Sequence, residues 1–426
     1  MLTGKHYCTV AIVALALAAA AFAQGPASAN YDESKVGAST LPDPLVFDNG
    51  KPVRTAGEWT KRRRTEILNL FAANIYGRSP EPPKSLRYKV FDEDPHALGG
   101  KAVRKQVSIY FSSQGDGHKE DLLLYLPAGA RKPVPVILSL NFGGNQSVTK
   151  DPGVKLPVLW DRKTHERRQA SEESRGNDKG LDAEKTLARG YGFATIYYQD
   201  IEPDFLGGYE YGIRPLFLKP GQAAPAPDEW GAIGAWAYGL SRALDYLENE
   251  KGVDAKRVAV MGHSRLGKTA LWAGAVDPRF AMVISSCSGE GGASLARRNY
   301  GETVRNLVDV FPYWFCANFQ KYAGHADQLP VDAHELIALS APRPVYVTAA
   351  EDDQWADPRG MFLACAAAGS VYRLLGAQDL GTDRMPELNQ PILHTLGFHF
   401  RTGQHAVTAF DWDQFLNFAD MYLRGH

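Results

Sequence analysis

The sequence predicts a three-layer αβα sandwich around a mostly parallel central sheet, and three features carry that prediction. From residue 134 onward, short apolar runs alternate with helical patterns, the arrangement that builds parallel β–α–β units with helices on both faces. Residues 134–140 form a solid apolar run, as a strand covered on both sides requires. Residues 257–261 run as a strand into Gly262-His-Ser264 and then into an Ala-rich helical segment, 269–276, so the chain turns sharply at a serine.

Ahead of this region, residues 30–56 form an arm rich in Pro, Asp and Gly, including Leu41-Pro-Asp-Pro-Leu45, expected to drape over the domain. A helix is predicted at 60–75, where Ile67, Leu68, Leu70, Phe71 and Ile75 fall close to one face. Strands follow at 84–91, at 101–111, where Val103, Val107 and Ile109 alternate, and at 120–126. The alternating region then supplies strand 134–140, helix 182–189, strand 193–198, helix 230–249, the strand before Ser264, and strands at 281–286, 344–349 and 396–401. A last helix presents Phe415, Phe418, Ala419, Tyr422 and Leu423 as one stripe, with Asp411 and Gln414 placed as a capping box. Two connections, 149–180 and 200–229, are longer than such a sheet needs, and loops of that length are functional or disordered. The first holds the charged run Asp161-Arg-Lys-Thr-His-Glu-Arg-Arg168.

Composition narrows the function. With 44% hydrophobic and 22% charged residues and a formal charge of -1, the chain has neither the basic excess of a nucleic-acid binder nor an acidic tail. Lys5, an apolar stretch from Cys8 to Ala23 and the small residues after it predict a secretory signal peptide, residues 1–23, with cleavage as late as Ala29. A membrane anchor is the competing reading, but the run is short for a span and no later stretch replaces it. Export to the periplasm or beyond the cell is expected, with one catalytic domain over 30–426 and insertions near 149–180 and 200–229. Cys8 leaves with the leader, and Cys287, Cys316 and Cys365 are expected as buried thiols, since an odd number allows at most one disulfide and none has Cys-x-x-Cys spacing.

The turn at Ser264 is what a nucleophile elbow requires: it exposes a serine oxygen and points the N–H groups of a helix N-terminus at a reacting carbonyl. The motif departs from Gly-x-Ser-x-Gly, because Leu266 fills the second glycine's place and Gly267 and Lys268 follow. A serine needs a base, and in the α/β-hydrolase order the histidine comes last, which selects His405 in the loop before the final helix over His394 and His399. The orienting acid belongs at the end of the 344–349 strand, in Glu351-Asp-Asp-Gln-Trp-Ala-Asp357. Asp353 is the choice there, with Asp352 and Asp357 as alternatives and a solvated acidic turn as the bland explanation. Glu290, in the Gly-rich turn after strand 281–286, could assist the triad, bind substrate or cap the next segment. Arg265 could add a charged donor to the developing oxyanion, and Lys268 returns to the same helix face one turn later.

Together Gly262-His-Ser-Arg-Leu-Gly-Lys268, Ser288-Gly-Glu-Gly-Gly292, Glu351-Asp-Asp-Gln-Trp-Ala-Asp357 and His405 resemble carbohydrate esterase family 15, the glucuronoyl esterases, in its bacterial branch. The likeness runs through most of the chain after the leader, including Asn30-Tyr-Asp-Glu33. It implies an α/β-hydrolase fold, no cofactor and no metal. It also implies hydrolysis of esters of glucuronic or 4-O-methylglucuronic acid, such as those joining glucuronoxylan to lignin alcohols, by a protein expected as a monomer. By this resemblance Ser264 is the nucleophile, His405 the base and Arg265 an oxyanion-stabilising residue, while Lys268, Glu302 and Trp355 contact the sugar. Fungal members carry a catalytic glutamate where this chain has Cys287, which strengthens Asp353 as the acid and leaves Glu290 doubtful in the triad. The two insertions would wall the pocket, with Trp160 and Arg162 as contacts to xylan or the lignin-side alcohol. Two rivals remain: an acetyl xylan esterase of the same fold, and a non-catalytic carbohydrate-binding homologue.

Overall fold

The computed structural model describes residues 29–83, 86–112 and 117–424. The expected leader, 1–23, lies outside them, as does Lys84 at the start of the first predicted strand. The strands are β1 Arg87–His96, β2 Ala102–Tyr110, β3 Lys119–Pro127, β4 Val134–Asn141, β5 Val158–Trp160, β6 Arg167–Gln169, β7 Gly192–Tyr197, β8 Val253–His263, β9 Met282–Ser286, β10 Val345–Ala350 and β11 Leu396–Arg401. Nine of them join one sheet of order β1-β2-β3-β7-β4-β8-β9-β10-β11, and β5 with β6 makes a separate hairpin in the first insertion. The pairings from β1 to β7 are antiparallel, and every pairing from β7 through β4 to β11 is parallel.

Eight helices matter below: α1 Arg64–Asn74, α2 Ala183–Ala188, α3 Ala232–Leu247, α4 Arg265–Val276, α5 Val304–Val310, α6 Ala333–Ala338, α7 Pro358–Leu374 and α8 Ala409–Leu423. The period of two along each strand sorts side chains between two cores. On β8, Val258 and Val260 pack with α1, α3, α4 and α7, whereas Ala259 and Met261 pack with α2 and α8. The solid run of β4 divides the same way, Val136, Leu138 and Leu140 to one side and Ile137 to the other, which is why it shows no polar alternation.

The structure departs from the prediction at several places, among them the ends of β1, which runs on to His96, and β8, which starts at Val253. Helices α5, α6 and α7 have no predicted counterpart. Of these α7 is capped by Asp357, whose carboxylate accepts from the Gly360 N–H at 2.9 Å, with Pro358 in the first turn. The first helical segment begins at Ala56 rather than 60, behind a Thr55–Glu58 capping box. The box on α8 also starts one turn earlier, at Thr408 with Asp411, because Thr408 has the extended backbone of a cap while Gln414 lies inside the helix.

All strands from β8 to β11 run parallel, so their carboxyl ends lie along one edge of the sheet. Ser264, Cys287, Asp353 and His405 follow those four ends. The N-terminal arm is tied across the molecule by the Pro42 carbonyl on His334 at 2.8 Å, Asp48 on Arg63 at 2.6 Å and Glu33 on Arg298 at 2.7 Å.

Candidate active site

Ser264 adopts φ 58° and ψ −130°, a region that non-glycine residues enter only at a cost of about 1–3 kcal/mol. Surrounding hydrogen bonds hold it there: its N–H donates to the Ser286 carbonyl at 2.9 Å, and its own carbonyl accepts from Gly267 and Lys268 at 2.8 and 3.1 Å. A Cβ on Gly262 would lie 1.9 Å from the Leu266 carbonyl oxygen, so the strand can meet the new helix only through glycine. The shifted motif has a packing reason. Leu266 is buried in the core with α3 and α4, and Gly267 takes the tight crossing instead, where a Cβ would stand 3.0 Å from Ser288 Cβ and 3.1 Å from two carbonyl oxygens. Only the Arg265 and Leu266 N–H groups precede the first bonds back to Ser264, and they open α4 at the serine end, where helix N–H groups favour an anion.

His405 Nδ1 lies 2.6 Å from Asp353 Oδ2. Asp353 is 2% exposed, and the histidine side chain is 30% exposed at the mouth of the site. His263, the neighbour of Ser264, places its ring centroid 4.5 Å from that of His405, which brings the histidine loop against the elbow. Burial first, and then His405, push the His263 pKa well below the usual imidazole value, so its ring is neutral; its Nδ1 meets Ser286 Oγ at 3.3 Å. Cys287, Asp353 and His405 each offer an atom within 4.8 Å of the others'. Two of those atoms are already joined by the Asp353–His405 hydrogen bond. Burial pushes the Cys287 thiol far up, with the Asp353 charge adding to it, so the sulfur stays protonated. Cys287, Cys316 and Cys365 are all buried and free.

The alternatives sit elsewhere. His399 is fully buried between Tyr346 OH at 2.9 Å and Asp411 at 2.8 Å, and His394 meets the Asp379 carbonyl at 2.8 Å. Asp352 is exposed to solvent, while Asp357 caps α7 and pairs with Arg298 at 2.8 Å. Glu290 is 2% exposed, and its strongest charged neighbours are Asp332, Glu302 and Lys268 rather than His405. Burial, reinforced by the first two, raises its pKa well above the carboxylate range.

Lys268, Glu302 and Trp355 are brought together. Lys268 Nζ donates to the Ser288 carbonyl at 2.7 Å and lies 3.7 Å from Glu302, whose own N–H donates to the Trp355 carbonyl at 2.8 Å. Burial lowers the lysine pKa and raises that of the glutamate, and each partner opposes the other's shift.

Arg265 is held by a residue the sequence did not single out. Its Nη1 donates to Asp204 Oδ2 at 2.7 Å, and burial, which works against its charge, is outweighed by that carboxylate. Asp204, 1% exposed in the second insertion, also accepts from Tyr198 OH at 2.8 Å, Tyr313 OH at 2.9 Å and Trp314 Nε1 at 2.7 Å. Arg162 of the first insertion approaches it at 3.0 Å. The Trp314 ring lies between the two cations, 5.1 Å from the Arg265 guanidinium and 5.9 Å from Lys268 Nζ. Only the length of 200–229 marked Asp204 in advance. Trp160, by contrast, packs against Phe205 and Tyr211 within the insertions, at 5.4 and 5.0 Å between centroids. Beside the elbow, a cavity of about 160 Å³ is lined by Leu140, Phe142, Leu181, His263 and Val407.

A parallel sheet that gathers its reactive side chains after β8 to β11, with the serine on the strand-to-helix turn, is the α/β-hydrolase fold, and the protein is a carboxylic ester hydrolase of that fold. Comparison with known proteins narrows the class. A family model described as glucuronyl esterase of fungi matches residues 225–376. A glucuronoyl esterase from Solibacter usitatus superposes with a TM-score of 0.90 at 51% identity, over 92% of this chain and 100% of that one. Carbohydrate esterase MZ0003, from an unknown prokaryotic organism, is 48% identical over 94% of this chain and 93% of its own. A 4-O-methyl-glucuronoyl methylesterase from Wolfiporia cocos is 36% identical over 80% of this chain and 73% of its own. The chain belongs to carbohydrate esterase family 15, the glucuronoyl esterases.

Proposed function

We propose that this enzyme hydrolyses esters of glucuronic and 4-O-methylglucuronic acid, as in the cross-links between glucuronoxylan and lignin, through an acyl-enzyme on Ser264. What supports this reading is a strained Ser264 whose neighbour His263 packs on the ring of His405 in the His405–Asp353 couple, together with the Lys268–Glu302 pair, whose glutamate feels the His405 and Asp353 charges. His405 Nε2 takes the serine proton as Oγ attacks the ester carbonyl; Asp353 holds the tautomer and stabilises the imidazolium. The N–H groups at the start of α4, with the Arg265 guanidinium, receive the oxyanion. His405 returns its proton to the departing alcohol, then activates water to free the uronate. Lys268 and Glu302 offer a donor and an acceptor to neighbouring sugar hydroxyls, and Trp355 offers a flat face to the ring.

The test is hydrolysis of benzyl and methyl glucuronate beside acetylated xylan and p-nitrophenyl acetate, with Ser264→Ala as control. Turnover of the glucuronate esters, abolished in the variant, is expected; activity on acetyl esters alone would replace this reading with the acetyl xylan esterase. Export through the leader is part of the proposal, and the N-terminus of the protein recovered outside the cytoplasm is expected after Ala23 or Ala29.

A further inference from the structure

Resting on the reading above, the substrate is a neutral ester and the product an anion, so a site flanked by cations risks holding its product. Arg265, next to the nucleophile, and Arg162, from the first insertion, both converge on the Asp204 carboxylate at 2.7 and 3.0 Å. That carboxylate is fixed from three further directions by Tyr198, Tyr313 and Trp314, all neutral donors that hold its position without altering its charge. A single buried anion thus serves as counter-ion to two guanidiniums, one at the reacting centre and one at the rim.

We propose that Asp204 is a positioning residue that aims Arg265 at the oxyanion and cancels its charge toward a carboxylate, so that the site accepts the ester and releases the uronate. Such a geometry preserves the directed N–H donors that a transition state needs, because an ion-paired arginine still donates from its remaining hydrogens. It withholds the unpaired cation that a product carboxylate would seek as a bidentate partner. Without Asp204 the two guanidiniums would lack a buried counter-ion, and the uronate carboxylate is the natural replacement.

The experiment measures two constants: KM for benzyl glucuronate and the dissociation constant of D-glucuronate by calorimetry, which needs no turnover and so stands if the substrate assignment fails. Asp204→Asn keeps the hydrogen-bonding shape and removes the charge. Its expected effect is glucuronate binding tighter by about tenfold or more, newly weakened by added salt, with kcat reduced as Arg265 loses its anchor. Arg162→Gln, at a side chain 36% exposed and therefore tolerant, is expected to act oppositely, leaving Asp204 to Arg265 alone and weakening glucuronate binding. In an Arg265→Gln background Asp204→Asn should cost no further kcat. Parallel changes in KM and glucuronate binding, or unchanged glucuronate binding in both variants, would overturn the proposal and make Asp204 a structural residue.

Discussion

Asp353 Oδ2 meets His405 Nδ1 at 2.6 Å, joining the end of β10 to the loop after β11, with Cys287 beside them. The sheet brings three strand ends to one imidazole, and the chemistry depends on which end carries the carboxylate.

Asp353→Asn is expected to lower kcat for a glucuronate ester by about 10²–10⁴-fold, since it removes the charge that stabilises the imidazolium and favours the wrong tautomer. Glu290→Gln should change it less than about threefold, because the charges that act on that side chain are Asp332, Glu302 and Lys268 rather than His405. Adding Cys287→Glu to Asp353→Asn places a carboxyl within reach of His405 and should recover part of the loss. Equal losses in the two single variants would show that the acid is wrongly assigned.

Gly262→Ala should disable the elbow, because the new methyl would sit 1.9 Å from the Leu266 carbonyl oxygen and backbone must move. Loss of activity with a lowered Tm is the expected pair of readouts. Leu266→Gly would restore the commoner motif yet is expected to destabilise by about 3 kcal/mol or more, through a lost core side chain and a glycine inside α4.

Asp411 accepts from Arg401 Nε at 2.7 Å and from the His399 ring at 2.8 Å, all three buried. Asp411→Ala should cost about 3–5 kcal/mol in urea unfolding by leaving a buried guanidinium uncompensated. Burial raises this carboxyl's pKa, but the His399 and Thr408 hydrogen bonds and the Arg401 charge outweigh it and hold it below the usual range. The folded state therefore binds this proton less readily than the unfolded chain, so its stabilisation is present above the ordinary aspartate pKa and is lost as pH falls through the folded one. Acid unfolding should begin at higher pH in Asp411→Ala.

Asp200 has the opposite sign. Burial, with the Asp121 charge, pushes its pKa up to about 7, so between about pH 4 and 7 the folded protein keeps a proton that the unfolded chain releases. Its contribution to stability therefore declines as pH rises. Asp200→Asn, which can still accept from the Asp121 N–H, should raise Tm at pH 8 relative to wild type and make little difference at pH 4. A Tm difference independent of pH would refute this assignment.

The local pattern carried the sheet and the sharp turn at Ser264. Residues 134–140 and 257–261 show their strands because burial on both faces demands apolar residues in succession, and the serine shows its turn because strand and helix patterns meet there without a linker. Chain order selected His405, and the structure sets its ring on Asp353. Side-chain direction at the end of β10 was not legible, since one residue of rotation exchanges Asp352 and Asp353 between solvent and imidazole, and the turn 354–356 then sends Asp357 to cap a helix. Nor was α7, whose cap is one of those same aspartates.

By itself, then, the sequence determined the architecture through short-range periodicity and the serine–histidine order through the placing of Ser264 and His405, while the family came from the resemblance its motifs carry. Only the tertiary structure decided that Asp204 anchors Arg265, that Cys287 stands beside the Asp353–His405 pair, and that Glu290 lies among other carboxyls. These are relations between segments distant along the chain, in a low-dielectric interior where the partner, and not the residue type, determines what a charge does.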